Sequence, residues 1–343
     1  MTVPDIRLRS VATTLPGPAV DNATLTRRFS MPSAWETWID DFVGTRTRHF
    51  AVDLGTGEVR HTLTDLGAAA GRKALEDAGV DPGEVDLMVL ATSSPDMLMP
   101  ATVNMVADRL GIDGLPAYQL QSGCTGAVQA IDVACQLLRA GRGRTALVIG
   151  ADSCAKHLDV TVDPATLTPA EQINGVLFGD GAGAMVLGTG PAPGRAVLRG
   201  VLLKLAGLGR APGQTVAWYG ERGRTGGDRP IGEDYKAIEE SVPGLAAEAL
   251  DELLDDLGWK ESDLDYLLPP QLSGRMTARI VERLDVPGAH EVSCVAETGN
   301  TGNALPFFQL ERALPRMVAG DRAAAVAIES SKWIKAGFAL EKS

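Results

Sequence analysis

Apolar and polar residues alternate in a pattern that occurs twice along the chain, displaced by 179 residues. The first copy is ALEDAGVDPGEVDLMVL, residues 74–90, and the second is LLDDLGWKESDLDYLLP, residues 253–269. Leu75, Asp77, Gly79 and Asp86 recur as Leu254, Asp256, Gly258 and Asp265. Each copy predicts a helix stopped by glycine, a short polar turn and a buried strand. At the same offset, Gly141 and Gly320 each close an amphipathic helical pattern, VQAIDVACQLLRAG and FFQLERALPRMVAG. The apolar strands TALVIGAD and AAAVAIES follow them. One offset recurring at several places implies duplication. The expectation is an α/β chain of two halves, 1–190 and 191–343, each with helix-strand-helix-strand order and a mostly parallel sheet. The Gly/Pro/Arg-rich stretch 191–230 would hold the crossover, and at this offset Glu329 stands opposite Gly150.

The charge balance narrows the partners. A formal net charge of −12 argues against nucleic acid, whose phosphates need Lys and Arg. An acidic partner would have to find a local basic patch. No apolar run is long enough for a membrane span, and the first residues lack the core of a signal peptide, so a soluble, cytoplasmic protein is expected. The four cysteines, Cys124, Cys135, Cys154 and Cys294, show neither CxxC pairing nor metal-ligand spacing, so no metal and no disulfide framework is expected. FGDGAGAMVLG, residues 178–188, lacks the context of a phosphate loop and reads better as glycines packing a turn into a buried strand.

One cysteine stands in a setting suited to chemistry. Cys124 lies in QSGCTGAVQA, where small neighbours leave the sulfur approachable and a helix begins just after it. An inert, buried cysteine is the plainer reading. As a nucleophile it would accept an acyl group from a thioester. In the second half Asn300 and Asn303 open the corresponding helix. Two helix N-termini meeting at a pseudo-two-fold seam would lower the thiol pKa.

Trp38, TRTRHF, SGCTGA, FGDGAGA and GNTGNALP follow one another in an order that resembles β-ketoacyl-acyl carrier protein synthase III. The resemblance spans nearly the whole chain. It implies the five-layered αβαβα thiolase fold, a homodimer and a Cys-His-Asn triad. It also implies an acyl-cysteine intermediate loaded from phosphopantetheine, on an acyl or peptidyl carrier protein, or from coenzyme A; no other cofactor is expected. In that family the histidine and asparagine stabilise the enolate released by malonyl decarboxylation. Cys124 and Asn300 match the triad, but Pro270, in PPQLS, stands where the family has histidine. His49, His61, His157 and His290 fall outside that motif, and His157 is the best placed of them. Where the family has glycines in its oxyanion loop, this chain has Glu329 and Ser330. Glu329 is either a solvent-facing strand end or a general base toward an acceptor hydroxyl or amine.

The resemblance also places Trp38, Phe42 and Ser273 along the pantetheine path. Phe42 replaces an expected arginine, and another is missing near Asn174, which favours a carrier-protein donor over free coenzyme A. Arg275 and Arg279 correspond to a carrier-docking helix face that Arg283 would extend; a solvated face is the alternative. The function expected is transfer of an acyl group from Cys124 to a small-molecule acceptor in specialised-metabolite biosynthesis. Decarboxylating condensation and a catalytically silent partner subunit are the alternatives. The stretch 206–230 is a candidate acceptor entrance.

Overall fold

A computed structural model describes residues 4–157, 164–167, 169–192, 194–217 and 231–343. In the first copy of the repeat, a helix from Leu63 to Ala78 ends on Gly79 at φ 63°. In the second, a helix from Tyr235 to Leu257 ends on Gly258 at φ 66°. Both glycines adopt the left-handed conformation that other residues avoid, and their N–H groups close the last helical turn. The repeated aspartates also share a task. Asp86 accepts the backbone N–H groups of Arg144 at 2.7 Å and Thr145 at 2.9 Å, and Asp265 accepts that of Arg322 at 2.8 Å. Each aspartate thus pins the start of the parallel strand beside its own, Thr145–Asp152 in the first half and Arg322–Glu329 in the second.

That pinning corrects the register read from the sequence. Thr145 and Arg322 are equivalent, so the strands Thr145–Asp152 and Arg322–Glu329 superpose end to end. Glu329 corresponds to Asp152, not to Gly150, because the link from Gly320 to its strand is two residues shorter than the link from Gly141. The second amphipathic helix also stops early, at Ala313 rather than at Gly320. Pro315, with no N–H to donate, ends its hydrogen-bond ladder.

The strands in chain order are β1 (Ile6–Thr14), β2 (Val20–Asp21), β3 (Thr47–Arg48), β4 (Leu87–Thr92), β5 (Ala117–Gln121), β6 (Thr145–Asp152) and β7 (Gly181–Thr189). There follow β8 (Ala196–Leu205), β9 (Gln214–Val216), β10 (Ile231–Glu233), β11 (Tyr266–Leu268), β12 (His290–Glu291), β13 (Arg322–Glu329) and β14 (Ile334–Lys342). Ten of them form one sheet in the order β12-β11-β13-β14-β8-β1-β7-β6-β4-β5, while β2 pairs with β3 and β9 with β10. Outward from the β8–β1 seam the two halves have the same topology. Their sheets are mixed, not mostly parallel: β4 with β5 and β6, and β11 with β12 and β13, are parallel, and the remaining neighbours in the ten-stranded sheet are antiparallel. The turn from β13 to β14 is too short for a parallel crossover.

The helices Gly126–Arg139 and Leu305–Ala313 share one apolar cluster with strands of both halves. Val128, Ile131 and Leu138 lie there with Phe307, Leu310, Met185 and Phe338. The helix Leu63–Ala78 covers the outer face of the first half through Leu66 and Leu75. The helices Tyr235–Leu257 and Gly274–Leu284 cover that of the second through Leu250, Leu253 and Ile280. The layers are therefore αβαβα. Each fully buried Leu or Phe contributes about 1.5–3 kcal/mol over an exposed one. FGDGAGA serves this packing: a Cβ on Gly183 would meet the Phe307 ring, so glycine lets the central helix approach β7.

Candidate active site

Cys124 lies between the end of β5 and the helix Gly126–Arg139, part-exposed where two clefts meet. One cleft, of about 350 Å³, is walled by Pro270, Leu272, Leu305, Pro306 and Ile328. The other, of about 420 Å³, adds Gln214, Glu233, Tyr235 and Ser330. Asn300 lines both. Its backbone bridges to Phe178 and Leu177, and its Oδ1 accepts the Gly302 N–H at 3.0 Å, so the FGDG segment positions this asparagine.

The thiol is not poised as a thiolate. Burial, then the charges of Glu329 and Asp152, push the Cys124 pKa up to about 12. The expected lowering by helix termini fails because desolvation of the sulfur, reinforced by the charges of Glu329 and Asp152, outweighs the dipole. These carboxylates are equivalent by the pseudo-symmetry, and each crosses to the opposite half. Asp152, ending β6, accepts the Asn303 N–H and Nδ2 at 2.8 Å each through Oδ2. Its Oδ1 accepts the hydroxyls of Thr92, Ser93 and Ser94 and the Ser93 N–H. Glu329, ending β13, accepts the Ser122 hydroxyl at 2.8 Å and the Thr125 hydroxyl at 2.7 Å through Oε2, and Ser331 donates to Oε1. Asn303 in turn donates to the Ser122 carbonyl at 3.0 Å.

Glu329 is therefore neither solvent-facing nor on a cleft wall. It is 5% exposed beneath the cysteine loop, while its neighbours Ile328 and Ser330 line the clefts. Pro270 stands on the first cleft, held beside Gln271, whose Oε1 accepts the N–H groups of Cys294 and Val295 at 2.7 and 2.8 Å. Among the histidines whose side chains are described, His49, His61 and His290, none lines either cleft, and the side chain of His157 lies outside the described residues. His49 faces the Gly17 carbonyl, His61 is exposed, and His290 sits on the exposed strand β12.

The other sequence candidates gather elsewhere. Trp38 is half-buried against the cluster of Trp35 and Ile39. Phe42 is 60% exposed, with the Arg275 guanidinium 5.5 Å from its ring centre. Ser273 caps the helix Gly274–Leu284, its hydroxyl accepting the Met276 N–H at 3.1 Å. Arg279 pairs with Glu239 at 3.7 Å. Phe42, Ser273 and Arg275 thus share one exposed rim, and none of them lines the two clefts.

Sequence reasoning missed Asp152, Ser122, Thr125 and the trio Gln214, Glu233 and Tyr235. Burial pushes the Glu233 pKa up, and burial and the Glu233 charge raise that of Tyr235. Of the stretch 206–230, Gln214 reaches a cleft, and residues 218–230 lie outside the described residues.

Two family profiles match the chain: 3-oxoacyl-[acyl-carrier-protein] synthase III over residues 118–203 and its C-terminal region over residues 254–330. A β-ketoacyl-[acyl-carrier-protein] synthase III of Pseudomonas aeruginosa is 35% identical over 270 residues, 78% of this chain and 76% of the relative. The chain belongs to the β-ketoacyl-acyl carrier protein synthase III family. The solved structures most like it include AbyA1, a tetronic acid condensing enzyme, with TM-score 0.95 and 61% identity over 98% of this chain and 99% of that one. The priming β-ketosynthase of the R1128 polyketide pathway superposes with TM-score 0.83 at 27% identity, over 100% and 98%. The thiolase fold of this synthase III family is the fold described above. No helix among the described residues is long and apolar enough to cross a membrane.

Proposed function

We propose that this synthase III-family chain is a condensing enzyme that loads a β-ketoacyl group onto Cys124 from a carrier-protein thioester. It then passes the acyl group to the hydroxyl of a 2-hydroxyacyl thioester, on the way to a tetronic acid ring. The observation that carries this reading is the site itself: a part-exposed cysteine and Asn300 at the junction of two clefts, with proline where a histidine would serve decarboxylation. The 61% identity to a tetronic acid condensing enzyme supports the product class.

A tetronic acid is a five-membered lactone carrying a β-dicarbonyl unit. Closing one takes an ester bond and a carbon–carbon bond. The ester forms when the acceptor hydroxyl attacks the Cys124 thioester. The α-carbon of the transferred group then lies between two carbonyls, acidic enough to attack the acceptor's own thioester without loss of carbon dioxide. A decarboxylating synthase must stabilise an enolate, and removing one donor from such a site commonly costs about a hundredfold in rate. A reaction that makes no enolate by decarboxylation tolerates Pro270.

The test is intact-mass measurement after incubation with a β-ketoacyl carrier protein, followed by a 2-hydroxyacyl thioester. The expected result is an adduct on the wild type, none on Cys124→Ala, and loss of the adduct when the acceptor is added. Carbon dioxide release from a malonyl donor would select decarboxylating condensation instead. No adduct with any donor would leave a silent subunit.

A further inference from the structure

The second cleft holds an acid that the matched motifs do not contain. Glu233 ends β10 and faces Gln214 across the β9–β10 pair. Gln214 Nε2 donates to Glu233 Oε1. Oε2 is buried and accepts no hydrogen bond of good geometry among the described residues, while the Tyr235 hydroxyl and the Asn174 side chain stand close enough to the carboxylate to stabilise its charge. The neighbouring Tyr235 hydroxyl donates to Asn174 Oδ1. Cys124, Asn300, Ser330 and Glu233 line this one cleft, whereas Cys124 is the sole ionisable side chain on the walls of the other. A carboxylate oxygen that is buried without a well-placed donor is costly to keep, and on the wall of a cleft beside Cys124 a free lone pair can accept a proton.

We propose that Glu233 is the catalytic base of the transfer step and that its cleft receives the hydroxyl-bearing acceptor, while the apolar cleft holds the acyl chain. This rests on the transfer reading given above. Glu233 Oε2 takes the hydroxyl proton as the alkoxide oxygen attacks the thioester carbonyl. The C–O bond forms and the C–S bond breaks. The proton passes to the departing Cys124 sulfur, regenerating the thiol and the carboxylate. The high proton affinity of that thiol favours this last transfer. Burial raises the Glu233 pKa above the ordinary carboxylate value, and a higher pKa makes a carboxylate a stronger base. Glu329 is less suited to the task, since its oxygens already accept Ser122, Thr125 and Ser331.

The experiment follows the acyl adduct by single-turnover mass measurement in wild type, Glu233→Gln and Glu233→Ala. Loading of Cys124 is expected in all three. Decay of the adduct on addition of a 2-hydroxyacyl thioester is expected to slow about a hundredfold or more in both variants. Formate should restore part of the rate in Glu233→Ala, which a purely structural role would not allow. Decay within about threefold of wild type overturns the assignment. So does a parallel fall in loading and transfer that formate leaves untouched. If the wild type itself never loads, or never passes its acyl group to a hydroxyl, the transfer reading fails, and that result is distinct from a failure of Glu233.

Discussion

At Cys124 the electrostatics run against reactivity, and the cause is identifiable. Burial and the charges of Glu329 and Asp152 hold the thiol protonated with a pKa of about 12. Loading is still balanced, because thiol–thioester exchange returns a thiol for each one consumed. Glu329 combines this charge with a mechanical task, gripping the Ser122 and Thr125 hydroxyls on either side of Cys124. Glu329→Gln keeps an amide oxygen for those hydroxyls and removes the charge. A like charge disfavours the thiolate, so its removal lowers the pKa. Below the pKa, the thiolate fraction rises tenfold for each unit of lowering. Intrinsic nucleophilicity falls partly in compensation, leaving a net gain of about threefold per unit. Alkylation of Cys124 by iodoacetamide at pH 8 should therefore be faster in Glu329→Gln, with the pH profile displaced downward. Identical profiles would mean that the two groups are not coupled.

Some elements leave marks in the sequence and others do not. The helix–glycine–turn–strand unit is legible because Gly79 and Gly258 occupy a conformation few residues accept, and because Asp86 and Asp265 each pin a strand start. The shift of two residues before β13 is invisible, since side chains in a strand alternate with period two and an alanine-rich run slides by two without exposing its core face. That is why Glu329 seemed to oppose Gly150. Cys124 is singled out by its small neighbours and Asn300 by the resemblance of GNTGNALP to the family motif, and the structure brings both to the walls of the same clefts. Convergence of Asp152 and Glu329 on the sulfur depends on tertiary crossing, which no spacing encodes. Glu233 was hidden because the short β9 and β10 lie in and beside a Gly/Arg-rich stretch without periodicity. The helix Gly274–Leu284 carries a further expectation. Arg275 and Arg279 are both exposed, but Arg279 already pairs with Glu239. Arg275 meets the Phe42 ring and the Asp41 carbonyl and, among the described residues, has no ion pair. If this rim receives an acidic carrier protein, Arg275→Glu should raise KM for a carrier-borne donor about tenfold or more. KM for the same acyl group on a short pantetheine thioester should stay within about twofold. Equal changes for both donors would place Arg275 in the substrate path rather than the docking surface.

On the scale of the molecule, a ten-stranded sheet leaves two edges, and these edges differ. At one end β12 is two residues long and presents exposed His290 and Glu291, a charged edge that resists pairing. At the other end β5 is AYQLQ, uncharged, with Tyr118 40% exposed. Met97, Leu98 and Met99 precede it in the chain, 45%, 67% and 85% exposed. An uncharged open edge of five residues invites a second strand, and three exposed apolar side chains in a row are costly to leave in water. We expect two copies of this chain to associate along β5 and cover Met97–Met99. The site depends on this edge, because β5 runs directly into Ser122 and Cys124, and a paired β5 fixes the loop that Glu329 grips from below. Burying a leucine contributes about 1.5–3 kcal/mol, and each 1.4 kcal/mol is a factor of ten in affinity. Leu98→Asp should thus weaken association at least tenfold, seen as a shift toward monomer in light scattering across a dilution series. Cys124 loading should fall along with the dimer fraction. A variant with wild-type mass at every concentration would place the interface elsewhere, and a fully loaded monomer would show that the cysteine loop is held by the two halves of one chain alone.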